Sequence, residues 1–176
     1  MTTPSPNLYL RPNPGLSGLR GNVIRLDRIQ FDGEMWDFSN YFDYIKSVAN
    51  LMPKALRDYS TDVDSYVLHG AKTLHDSRML SAVIENAYDE NFSNAVLSIE
   101  LNFIDQLFEG KTTLRYVDVS SYHLKEMDLD SNRHADVLVH EFSIARQNVF
   151  RHRIIFDHLG EIEIEFRKFS YMWNEL

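Results

Sequence analysis

The sequence predicts an α+β fold: a mainly antiparallel β-sheet of about six to seven strands, one main N-terminal amphipathic helix, and an extended proline-rich arm. Three observations carry this. Four of the five prolines (Pro4, Pro6, Pro12 and Pro14) fall within residues 1–21. Apolar residues then recur at helical spacing from Phe38 to Met52. From residue 60 onward there is no proline, and turn-punctuated runs of β-branched and aromatic residues fill the rest of the chain, as an antiparallel sheet requires.

The arm comes first. Proline fixes φ and lacks a backbone donor, so regular structure is not expected over residues 1–21, which also hold Gly15, Gly18 and Gly21. The division is therefore an arm at 1–21 and a single α+β domain at 22–176. Residues 1–30 carry Arg11, Arg20, Arg25 and Arg28 against Asp27, a net of +3; the whole chain is −8, so the remainder sums to −11. Such an arm is expected to dock on its own acidic body or to join copies into a homo-oligomer. Residues 22–31 alternate imperfectly and predict a short strand.

The helix follows. Phe38, Tyr41, Phe42, Ile45, Val48, Ala49 and Met52 make one apolar stripe. Asp37 or Ser39 is placed to cap it. Pro53 ends it by disfavouring helical geometry at Met52, and can itself open a short second helix over residues 54–59. Strands are predicted at Tyr66–His69, Met79–Asn86, Ala95–Phe103, Thr112–Ser120, Val137–Arg146, Val149–Asp157 and Glu161–Trp173. Residues 89–94 and 109–111 read as hairpin connections, and residues 128–133 as a loop. Strand–helix–strand alternation is missing, which disfavours a parallel sheet.

The last hairpin can be placed in register. Phe150, His152, Ile154 and Phe156 share one face, as do Ile162, Ile164 and Phe166. A three-residue loop at 158–160 with Gly160 left-handed would set Phe156 opposite Ile162, Ile154 opposite Ile164 and His152 opposite Phe166. Arg153 would then face Glu165, with Arg151 diagonal to it and Glu161 and Glu163 close by. This makes the glutamate row a partner for arginines rather than a catalytic cluster.

Composition limits the chemistry. With 44% hydrophobic and 25% charged residues the chain is ordinary globular material. It has no cysteine, which excludes disulfides, thiolate metal sites and cysteine nucleophiles. The net charge of −8 disfavours nucleic acid and anionic lipid as partners. No apolar run is long enough to span a bilayer, and the N-terminus lacks the order of a signal peptide. The expected location is cytoplasmic.

Two places hold candidate chemistry. Leu74-His75-Asp76-Ser77-Arg78 would make His75 a base and Ser77 a nucleophile, but residues so close rarely bring their side-chain heads together. The competing reading is a turn in which Asp76 and Ser77 bond the backbone. His140-Glu141 is the second place; adjacent strand residues point to opposite faces. Seven histidines without a local ligand pair do not predict a metal site or a cofactor. The candidate binding residues are thus His75, Asp76, Ser77, Arg78, His140 and Glu141, with no catalytic residue assigned.

Leu74-His75-Asp76-Ser77 opening a strand, and Gly160-Glu161-Ile162-Glu163-Ile164-Glu165-Phe166 closing the sheet, resemble a group of uncharacterised bacterial proteins, some of them immunity-protein-like. The likeness spans residues 74–173 and implies no activity. The expected function is non-enzymatic binding of a protein partner, as an immunity or accessory factor. The alternative is a small metal-dependent or hydrolytic enzyme using a His/Asp/Glu cluster.

Overall fold

Pro53 organises the start of the described chain. The computed structural model describes residues 9–10, 26–32, 35–125, 136–157 and 160–176. Helix α1 (Ser39–Val48) continues into a 3-10 turn (Ala49–Leu51), and helix α2 (Lys54–Thr61) follows Pro53 at its N-cap. Met52 between them is extended, with φ −96° and ψ 143°, as its proline neighbour demands. The Ser39 N–H at the head of α1 donates to the Asp37 carboxylate at 2.9 Å. The main helix is thus followed by the short second helix expected after Pro53, which runs two residues further than expected, to Thr61. The expected arm and its boundary at residue 21 lie outside the described residues, apart from the backbone pair Tyr9–Leu10 (β1). That pair lies beside Trp36–Asp37 (β3), which also pairs with Gln30–Phe31 (β2).

The rest is antiparallel sheet. Arg78–Tyr88 (β4), Ala95–Ile104 (β5), Gly110–Val117 (β6) and Lys168–Glu175 (β11) form one sheet in the order β11-β6-β5-β4. Ser121–Lys125 (β7), Val137–Arg146 (β8), Val149–Phe156 (β9) and Glu161–Phe166 (β10) form the other, in the order β7-β10-β9-β8. Their apolar faces meet. Ile99, Leu101, Phe103, Leu114, Tyr116 and Phe169 of the first sheet, with Phe142, Ile154, Ile162, Ile164 and Phe166 of the second, are all buried. Tyr116 packs on Phe166 with ring centroids 5.0 Å apart, and Phe169 on Phe142 at 5.4 Å.

Several expectations are corrected. Tyr66–His69 is not a strand; it follows a 3-10 turn (Val63–Ser65), and Tyr66 is drawn into the core. The predicted strand at 112–120 starts earlier, at Gly110, and ends at Val117, because Asp118 adopts φ +59° and turns the chain into the other sheet as β7. The predicted strand at 161–173 breaks at Arg167, where the chain also changes sheet: β10 and β11 belong to different sheets. These two crossings lie side by side, joined by Arg167 N–H to the Val117 carbonyl and Ser120 N–H to the Glu165 carbonyl. An apolar alternation does not reveal that its strand changes sheet.

The β9–β10 register is also shifted. Ile162 lies opposite Ile154, Ile164 opposite His152, and Phe166 opposite Phe150. Phe156 N–H donates to the Gly160 carbonyl, so Gly160 belongs to the paired backbone rather than to the connection. The slip is of two residues, so every side chain keeps its expected face. It brings Arg153 opposite Glu163 and Arg151 opposite Glu165. Arg151 reaches Glu165 at 2.8 Å, Arg153 reaches Glu161 at 2.8 Å, and Arg146 reaches Glu165 at 2.7 Å.

Both faces of β8 are covered, and so is its free edge. On that edge the Phe142 N–H donates to the Tyr41 hydroxyl at 3.3 Å and the Ile144 N–H to the Tyr44 hydroxyl at 2.8 Å, both from α1. An edge strand closed by side-chain acceptors cannot template a further strand.

Candidate functional site

The first sequence-predicted group, residues 75–78, lies against the start of β8. Asp76 N–H donates to the Val137 carbonyl and Val137 N–H to the Ser77 carbonyl. The His75 Nδ1–H donates to the Leu138 carbonyl at 2.8 Å, and the Ser77 hydroxyl donates to the Leu74 carbonyl at 2.6 Å. His75 Nε2 lies 3.6 Å from Asp76 Oδ1, beyond direct hydrogen-bond range. Arg78 pairs with Asp136 at 3.1 Å. The string therefore holds the first residue of β4 to the first residues of β8, and its hydroxyl and imidazole face backbone carbonyls rather than each other.

His140 lies at the centre of the core, where sequence reasoning did not place it. Its Nε2 is 3.2 Å from the Ser65 carbonyl, and its Nδ1 is 3.0 Å from His152 Nε2. His152 Nδ1 is in turn 2.6 Å from the Tyr116 hydroxyl. Both rings are buried. Burial holds His140 down to about 4 and His152 well below its usual range, so both are neutral. The tautomers then follow in sequence. The Ser65 carbonyl only accepts, so His140 carries its proton on Nε2. Its Nδ1 accepts from His152 Nε2–H, and His152 Nδ1 accepts from Tyr116 O–H. One directional chain of hydrogen bonds thus runs from β6 through β9 and β8 to the turn after α2. Tyr66 stacks on His140 at 4.4 Å, and Phe142 on His152 at 3.7 Å.

Glu141 points the other way, as strand alternation requires. Its carboxylate accepts the Asp27 N–H at 2.8 Å and the Arg28 N–H at 3.2 Å. Burial pushes this carboxyl up, and those backbone donors offset the rise in part. Arg28 lies over the Tyr44 ring at 3.5 Å. His140 and Glu141 therefore serve opposite sides of β8. Among the described residues, no three His, Cys, Asp or Glu side chains gather as a metal site would need.

The β4–β5 hairpin was expected from its two strands and the connection at 89–94; the feature that sequence reasoning missed is its exposure. Every residue from Leu80 to Val96 is exposed, on both faces of the hairpin. β4 is the last strand of its sheet, and among the described residues its outer edge is bridged only at Arg78–Asp136. Leu80, Val83, Ile84, Tyr88, Phe92 and Val96 are the large apolar residues left open. Residues 79–98 carry Glu85, Asp89 and Glu90 and no basic residue. The adjacent Val83 and Ile84 were the available signal: two exposed faces need no alternation.

Comparison of the chain with family models, curated proteins and solved structures finds no match. Among the described residues no helix is long and apolar enough to cross a membrane.

Proposed function

We propose that the chain is a non-enzymatic protein-binding module whose docking element is the β4–β5 hairpin, and that its partner is a protein with a basic, partly apolar surface. The observation carrying this is the uninterrupted exposure of residues 80–96 with apolar side chains on both faces. Soluble domains usually guard such edges with lysine, proline or a covering element. Here β8 is covered and, among the described residues, the outer edge of β4 beyond Arg78 is not. The sign of the partner follows from charge: three acids and no base across residues 79–98 favour lysine or arginine opposite. His75, Ser77, Arg78, His140 and Glu141 are engaged in bonds that hold the sheets and turns, and the Asp76 carboxylate lies 3.6 Å from the His75 imidazole, so among the described residues these candidates form no nucleophile–base hydrogen bond.

The test is retention on the immobilised full chain from a lysate of its own cells. One protein should be held in stoichiometric amount and released by salt. It should be lost on the double variant Glu85→Lys with Glu90→Lys, and kept on Tyr122→Ser in β7, an exposed edge strand of the other sheet. Equal retention by the wild type and the charge-reversed hairpin sinks the proposal, as does retention of nothing.

A further inference from the structure

The tip of the hairpin repeats a loop found at the other end of β5. In residues 89–94 the Asp89 carboxylate accepts the N–H of Asn91 at 3.2 Å and of Ser93 at 2.8 Å. Phe92 N–H donates to the Asp89 carbonyl, and Asp89 N–H to the Asn94 carbonyl. In residues 105–110 the Asp105 carboxylate accepts the N–H of Leu107 at 2.8 Å and of Glu109 at 3.1 Å. Phe108 N–H donates to the Asp105 carbonyl, and Asp105 N–H to the Gly110 carbonyl. Each loop sets its fourth residue in the left-handed region, Phe92 at φ +54° and Phe108 at φ +59°.

That position suits glycine or asparagine, because a Cβ there crowds the backbone. Of the five described non-glycine residues with positive φ, three are Asp or Asn and the other two are these phenylalanines. Phe108 has an internal partner, since the Arg78 guanidinium lies 5.2 Å from its ring centroid. Phe92 has almost none. It is 78% exposed, and among the described residues its one ring contact is Tyr88, itself 55% exposed, with centroids 5.7 Å apart. Folding therefore gives no reason for a large aromatic in this strained, exposed place, and residues held in such conformations cluster at functional sites.

We propose that Phe92 is the anchor of the hairpin, entering an apolar pocket rimmed by arginine or lysine on the partner protein, with Tyr88 beside it and Glu85 and Glu90 meeting the rim. This rests on the hairpin being the docking element. The loop is bonded at every turn, so the ring is presented without the ordering cost that a free tip would carry. Buried aromatic anchors dominate interfaces of this kind.

Two measurements on the full chain test it. The first is thermal unfolding of Phe92→Gly. Relief of the left-handed strain should raise the Tm by about 2–4 °C; a fall would mean that Phe92 serves the fold and would overturn the anchor. The second uses p-benzoylphenylalanine in place of Phe92, irradiated in cells, and the same probe in place of Phe108. A cross-link from position 92, not from 108, should map to a peptide containing apolar residues and arginine or lysine. The retained protein should bind Phe92→Ala at least tenfold more weakly. Binding untouched by Phe92→Ala but lost on charge reversal overturns the anchor and leaves the hairpin reading standing. Loss of neither, or a cross-link to an acidic or wholly polar peptide, overturns the anchor as well. If the wild type retains no partner, both fall.

Discussion

Two hairpins of this chain have the same connectivity and opposite surfaces. In β9–β10 the inward residues are sealed in the core, and the outward charges form a paired row of Arg151 and Arg153 with Glu161, Glu163 and Glu165. In β4–β5, residues 80–96 are exposed on both faces and the acids Glu85, Asp89 and Glu90 have no basic residue within the stretch 79–98. One hairpin is satisfied internally; the other bonds Asp89 within its own loop but leaves its apolar groups and Glu85 and Glu90 for something outside it. The difference teaches that cross-strand pairing alone does not make scaffold. A hairpin becomes scaffold when a second layer covers one of its faces.

The largest expected effect separates the two directly. Phe166→Ala in β10 should cost about 3–5 kcal/mol, while Tyr88→Ala in β4 should stay within about 0.5 kcal/mol. Urea unfolding followed by circular dichroism measures both, and similar losses would break the contrast.

The buried relay beneath β9 gives the sealed half a pH signature. His140 and His152 titrate lower when folded than when unfolded, so the stability from keeping them neutral is complete above about pH 6.5 and is lost as pH falls toward the folded values. From pH 7 to pH 5, His140 alone, held down to about 4, should remove about 2 kcal/mol. Glu141, pushed up by burial, opposes this as it protonates. In a Glu141→Gln background, which removes that opposition, a urea midpoint unchanged between pH 7 and pH 5 would show that the relay is not neutral as assigned. The β4–β5 hairpin contributes no histidine to this dependence.

A smaller effect tests how the sheet bearing β4 is closed at its far end. A Cβ on Gly110 would fall 2.4–2.5 Å from atoms of the Trp173 indole. Gly110→Ala should therefore displace Trp173, shift its fluorescence and cost about 1–3 kcal/mol. Unchanged emission would show that the ring moves freely.

The smallest comparison is between single glutamates. The Arg151 guanidinium, with Arg146 beside it, holds the Glu165 carboxyl below the usual carboxylate range. Glu165→Gln should cost about 1 kcal/mol, allowing for solvent screening. Glu85→Gln on the open hairpin should leave the urea midpoint unchanged. Equal effects would place Glu85 in an internal network.

Much of the fold was legible. Helical spacing around Tyr41 and Ile45, the break at Pro53 and the strands at 95–104 and 137–146 are local properties, set by propensity and period. The alternation of Phe150, His152, Ile154 and Phe156 also named the inward face correctly. The register did not follow, because placing Gly160 in the paired backbone or in the connection preserves the same faces and differs only in which backbone groups bond. The candidate site was less legible. Serine and histidine in residues 74–78 looked like chemistry, yet their bonds run to the Leu74 and Leu138 carbonyls. His152 was assigned to the core face, but nothing local showed that it would meet His140 and Tyr116.

The sequence by itself determined which residues are apolar, which face each strand turns inward, where proline stops a helix, and that the body of the chain is acidic. Those follow from side-chain chemistry and from the two periodicities of the backbone. Only the tertiary structure decided that β10 and β11 part into different sheets, that Tyr41 and Tyr44 close the edge of β8, that two histidines share one proton-directed chain, and that β4 is left open. Each of these depends on which distant segment arrives at an unsatisfied backbone group or apolar face, and nearest-neighbour chemistry does not specify that arrival.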